Sequence, residues 1–69
     1  MPRKVRELIS DLLREGFNET PAKGSHRKFR HPLYSGSVIL SGRGGADAKP
    51  YQERDVSVAL RVVRGAAHG

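Results

Sequence analysis

The chain has 69 residues, 36% of them hydrophobic, and 13 Lys plus Arg against 7 Asp plus Glu give it a formal net charge of +6. That length holds one small domain and excludes two, and with no cysteine neither a disulfide framework nor a cysteine-based zinc site can staple it. No apolar run approaches the roughly 18 residues of a transmembrane helix and the N-terminus lacks a signal-peptide core, so the expected setting is the cytoplasm with no membrane contact.

The first predicted element is a helix over Arg3–Glu15. Val5, Leu8, Ile9, Leu12 and Leu13 form one stripe at 3.6-residue spacing. Pro2 suits the first turn. Gly16 is the expected left-handed stop, after which Phe17 folds back onto the helix. Phe17–Ala22 is a candidate strand, weakened by Asn18 and Pro21. Lys23-Gly24-Ser25 reads as a turn. His26–His31 reads as a second strand ended by Pro32, and Tyr34-Ser35-Gly36-Ser37 as another turn. The strongest strand signal is Ser37–Ser41. Gly42–Ala48 reads as a flexible surface loop, and it lacks the Gly-Lys-Ser/Thr ending of a phosphate-cradling P-loop.

A second helix starts near Pro50–Asp55 and carries Val56, Ala59, Leu60 and Val63 on one stripe. Gly65 is expected to end it, leaving 65–69 as a frayed tail. The predicted fold is therefore α+β: helix-strand-strand-strand-helix over residues 1–69, with a core of about 3–64. Tight turns imply a three-stranded antiparallel sheet with two helices on one face and solvent on the other.

The charge has an uneven address. Thr20–Ala46 contains no acid, yet holds Lys23, Arg27, Lys28, Arg30 and Arg43. Such a stretch suits a polyanion or an acidic protein. Strand alternation places Arg27, Phe29 and His31 on one face and His26, Lys28 and Arg30 on the other. Phe29 is the large apolar residue of the segment, so its face is the one expected under the helices. Arg27 and His31 must then reach water at the sheet margins.

His26 is the candidate catalytic residue. A histidine near neutrality can take a proton from a ribose 2′-hydroxyl or give one to a leaving oxygen, and neighbouring cations can stabilise charge on a phosphate. The plain alternative is a surface histidine that binds phosphate or nothing. His31 is expected to close a turn, and His68 lies in the tail. No acid flanks His26 or His31, so no metal site is expected. Tyr34 and Tyr51 read as base-stacking groups or as core-edge residues. Helix one mixes Glu7, Asp11 and Glu15 with its outer cations, which disfavours an anionic membrane surface.

Gly24-Ser25-His26, followed by Phe29 and His31-Pro32, resembles the HicA family, toxins of bacterial type II toxin–antitoxin pairs. Lys4-Val5-Arg6-Glu7-Leu8-Ile9, Gly16-Phe17 and Asp47-Ala48-Lys49-Pro50-Tyr51-Gln52 extend the resemblance over nearly all of residues 3–64. It implies a double-stranded-RNA-binding-like fold and an endoribonuclease that degrades mRNA and so halts translation. It places the essential histidine at His26, the presenting turn at Gly24 and Ser25, and the packing residue at Phe29. It also implies an antitoxin of the HicB type that blocks the site. RNA contacts are expected from Lys23, Gly24, Ser25, Lys28 and Arg30, with no cofactor, metal or small-molecule ligand.

Two other readings compete. A non-catalytic module of the double-stranded-RNA-binding type would want a lysine cluster at the start of the second helix; here Lys49 and Arg54 stand beside Glu53 and Asp55. A protein-binding subunit would use the basic surface only to hold an acidic partner.

Overall fold

The computed structural model describes residues 2–68. Gly69 and the side chain of His68, both in the expected tail, lie outside the described residues. The order is α1 (Val5–Arg14), β1 (Asn18–Thr20), β2 (Arg27–His31), β3 (Tyr34–Leu40) and α2 (Pro50–His68). The strands form one antiparallel sheet in the order β1-β2-β3. The predicted α+β architecture is the observed one.

α1 follows its stripe and stop signals, but it starts at Val5 with Lys4 as its N-cap rather than at Arg3, so Pro2 lies before the first turn. Val5, Leu8, Ile9 and Leu12 are buried. Leu13 is 50% exposed, because it sits about 80° of arc from Val5, at the margin of the stripe. The Lys4 N–H donates to the Glu7 carboxylate at 2.7 Å, which is half of a capping box. At the other end Gly16 has φ +98°. The Phe17 N–H donates to Leu12 O and the Gly16 N–H to Leu13 O, the two bonds of a Schellman stop. Phe17 is thereby turned back into the core at 2% exposure. A Cβ at Gly16 would lie 3.2 Å from His31 Nε2, so both the backbone and the neighbour require glycine there.

The second hairpin differs from its prediction. The turn falls at Pro32-Leu33, and Tyr34–Ser37 belong to β3. Ser35, Gly36 and Ser37 carry turn chemistry, but His31 pairs directly with Tyr34 while Phe29 pairs with Val38. One residue of β2 therefore faces three of β3, which is a bulge. β1 is only three residues long, since Pro21 has no N–H to continue the ladder. β2 starts at Arg27 rather than His26.

α2 is longer than predicted. Gly65 lies inside it without positive φ, and the helix runs to His68. Residues 65–68 are thus helical, not a loose tail. Val56, Ala59, Leu60 and Val63 are buried as expected. The buried Gln52 closes the start of the helix: its Oε1 accepts from the Lys49 N–H at 2.9 Å and its Nε2 donates to Ser41 O at 3.2 Å. One side chain therefore caps α2 and ties it to the end of β3.

The loop before α2 is largely exposed but tied down, with Ala48 buried in the core, contrary to the expectation of flexibility. Gly44 and Ala46 carbonyls accept from the first N–H groups of α1, Arg6 and Val5, and the Ala48 N–H donates to Arg3 O. Lys4 and Asp47 form an isolated bridge and an ion pair. Unpaired helix-start N–H groups need acceptors, and here the loop supplies them.

The core joins both helices to one sheet face through Phe29, Val38 and Leu40. Burial of each such side chain contributes about 1.5–3 kcal/mol. The opposite sheet face is open, and the glycine turn before β2 sits at its rim.

Candidate functional site

The site begins with a turn. The His26 N–H donates to Lys23 O at 3.3 Å, and Gly24 has φ +64°. Positive φ at the first central residue alone is the mark of a type II′ turn, which favours glycine. Nothing lies within 4 Å of a Cβ built at Gly24, so the backbone conformation, not crowding, selects the residue. Ser25 and His26 are exposed at the exit of this turn.

His26 is therefore not a strand residue, which corrects the alternation argument that put it in β2. It still reaches the open face. Pro21, Ala22, Lys23, His26, Lys28 and Ile39 line one groove of about 350 Å³. Lys28 stands between Thr20 and Ile39 in the sheet register, so three adjacent strands contribute to this face. Of the sequence-predicted site residues, the groove brings together Lys23, His26 and Lys28; Gly24 and Ser25 form the turn behind them. Arg30 is exposed and faces Asn18 across β1. It lies about 7 Å further along the strand from Lys28 and does not line the groove.

The electrostatics are sharper than the sequence suggested. Glu19 holds Arg27 in a two-point ion pair, with Nε to Oε2 at 2.7 Å and Nη2 to Oε1 at 2.6 Å. That hydrogen bond from Arg27 keeps the Glu19 carboxyl below its ordinary value, against a smaller opposing effect of burial, and it raises the Arg27 guanidinium. Arg27 also lies 5.8 Å from the Phe29 ring centroid. This cation is thus spent on the fold. Lys23, Lys28 and Arg30 make no ion pair among the described residues.

His31 has a structural role. Its Nδ1 accepts from the Leu33 N–H at 3.0 Å. The ring proton must then sit on Nε2, which donates to Glu15 O at 3.2 Å. The ring packs 5.0 Å from Phe17. His31 thus clips the β2–β3 turn to the end of α1, as its position before Pro32 suggested. Tyr34 packs edge-on against Phe17 at 6.1 Å and joins the core margin, so it is no base-stacking platform. Tyr51 is exposed, but on α2.

Sequence reasoning missed Pro21, Ala22 and Ile39 as groove walls and Glu19 as the partner of Arg27. Ile39 had a signal: it alternates with two residues that must be buried, Val38 and Leu40. The Glu19–Arg27 pair had none, because it is made across strands. No group of three or more His, Cys, Asp or Glu side chains stands close enough to hold a metal ion among the described residues.

Fold and site together define a class: a small helix-strand-strand-strand-helix domain whose free sheet face carries unpaired cations around a histidine on a glycine turn. The chain matches the family model described as the HicA toxin of bacterial toxin–antitoxin systems, over residues 5–62. It belongs to that family, and is the toxin of a toxin–antitoxin system, which points to an antitoxin as its partner. No curated protein and no solved structure matches it.

Proposed function

We propose that this toxin is an endoribonuclease that cleaves mRNA in the cytoplasm and so stops translation, with His26 as its general acid or base. The observation that carries the reading is the groove in which His26 stands with Lys23 and Lys28 on the open sheet face.

In such a groove a phosphodiester is held by the two lysines. The ribose 2′-oxygen attacks the adjacent phosphorus. The 2′-oxygen–phosphorus bond forms and the bond to the 5′-oxygen breaks, leaving a 2′,3′-cyclic phosphate and a free 5′-hydroxyl. His26 removes the 2′-proton as neutral imidazole, or protonates the 5′-oxygen as imidazolium. Lys23, Lys28 or solvent carries the other proton. The lysine charges stabilise the extra negative charge on the phosphate in the transition state. Arg30 binds the flanking backbone, and Gly24 and Ser25 hold the turn that presents the histidine. The groove contains no carboxylate, so its donor set suits proton transfer rather than a divalent cation. The antitoxin is of the HicB type, and its contact surface is acidic to suit a +6 chain.

Purified protein is expected to cut single-stranded RNA in EDTA. His26→Ala is expected to lose at least about 100-fold in rate with an unchanged melting temperature, and to lose growth arrest on expression. Equal cleavage by the alanine variant sinks the proposal. Tight binding of duplex RNA without cleavage would favour the non-catalytic module instead.

A further inference from the structure

We propose that Ile39 is the floor of a slot for one unpaired nucleobase, beside the histidine, and that this slot positions the strand to be cut. The inference rests on the RNA-cleaving reading for the identity of the polyanion, and on the groove itself for the rest.

Ile39 is 52% exposed in the middle of β3, with Val38 and Leu40 buried on either side. A lone exposed isoleucine is ordinary. Its surroundings are not, because it faces Lys28 across the ladder and shares the groove with Pro21, Ala22, Lys23 and His26. The groove therefore has an apolar side, Pro21, Ala22 and Ile39, and a polar rim, Lys23, His26 and Lys28. A ligand that fits both is flat and apolar in one part and anionic in the next. A nucleotide has that build: its base seats on Ile39 and its phosphate meets the rim.

The walls are held in place. Pro21 has a restricted φ, and Thr20 Oγ1 donates to Lys28 O at 3.4 Å, tying β1 to β2 beside the slot. Apolar side chains serve as stacking surfaces for unstacked bases elsewhere in nucleic-acid chemistry. A paired base cannot enter, since its stacking faces are covered by neighbours and its edge by the opposite strand. The slot thus selects an unpaired segment, and it reads the presence of a base rather than its identity, because the groove side chains that touch the ring are apolar.

The test separates the slot from the catalysis by using a ligand that cannot be cleaved. Binding of a short oligodeoxyuridine and of an abasic tetrahydrofuran-phosphate oligomer of equal length is measured by fluorescence anisotropy, for the wild-type chain and for Ile39→Ala. The wild type is expected to bind the base-containing oligomer about tenfold more tightly than the abasic one. Ile39→Ala is expected to remove most of that difference and leave abasic binding unchanged. An equal loss on both oligomers, or no loss on either, overturns the slot. So does unchanged oligonucleotide binding combined with weakened antitoxin binding, which would make Ile39 a protein contact. A melting temperature within a few degrees of wild type certifies the variant, and Ile39→Met, which retains an apolar surface, is expected to restore the preference. If the chain binds as expected yet cuts no RNA, the catalytic reading fails and the slot stands.

Discussion

At the scale of single residues, neighbours of like type have been given opposite work. His26 and His31 are five positions apart in the chain. His31 uses both ring nitrogens on backbone groups of Leu33 and Glu15, while His26 stands exposed on a turn. Arg27 and Lys28 divide in the same way, because alternation sends Arg27 to Glu19 and Lys28 to the groove. The Glu19 carboxyl lies below its ordinary value because Arg27 hydrogen-bonds it. Its folded value is therefore depressed relative to the unfolded chain. The pair's contribution is present above the unfolded value and lost as pH falls through the folded one. A carbon-detected NMR titration is expected to find Glu19 protonating at lower pH than in Arg27→Gln, where it should return to the ordinary range. Identical titrations in both proteins would remove the pair from the account.

At the scale of elements, both helices start by the same device. The third helical residue, Glu7 in α1 and Gln52 in α2, reaches back to the N–H of the capping position, Lys4 or Lys49. Their ends differ. Gly16 stops α1 with a left-handed residue, whereas Gly65 is carried through α2 in ordinary helical conformation. Glycine inside an exposed helix costs about 1 kcal/mol relative to alanine. Nothing lies within 4 Å of a Cβ at Gly65. Gly65→Ala is therefore expected to stabilise the protein by about 0.5–1 kcal/mol, read as a rise in melting temperature. A fall would mean that the last turns of α2 are not helical in solution. The first helix and its stop were legible in the sequence because stripe, glycine and returning Phe17 all lie within one local window. The end of α2 was not, since a helical and a terminating glycine look alike until φ is known.

At the scale of the whole molecule, the +6 charge resolves into paired and unpaired parts. Arg3, Lys4, Arg27 and Arg64 are each paired with an acid at distances of 2.5–2.7 Å. Exposed pairs of this kind contribute little to stability, but they neutralise charge at the helices and on the helix side of the sheet. Of the cations outside these four pairs, Lys23, Lys28 and Arg30 lie on the open sheet side, opposite the two helices. If these three contact RNA phosphates, the affinity for single strands should fall with salt at a log–log slope of about −2. Lys28→Ala is expected to reduce that slope by about 0.7, while Arg27→Ala leaves it nearly unchanged. A larger effect from Arg27 would place the RNA on the wrong side of the sheet.

The sequence by itself determined the element order, the fold class, the apolar faces of both helices and the basic, acid-free stretch with its glycine turn. These are local properties: periodicity, turn chemistry and charge run along the chain and need no partner. Only the tertiary structure decided that the hairpin turns at Pro32-Leu33, that Gly42–Ala48 is pinned to α1, that Arg27 is neutralised by Glu19, and that Ile39 and Pro21 wall the groove beside His26. Each of these depends on which residues of separate segments face one another. Strand register sets that, and register is chosen by the shared burial of Phe29, Val38 and Leu40 rather than by any one segment.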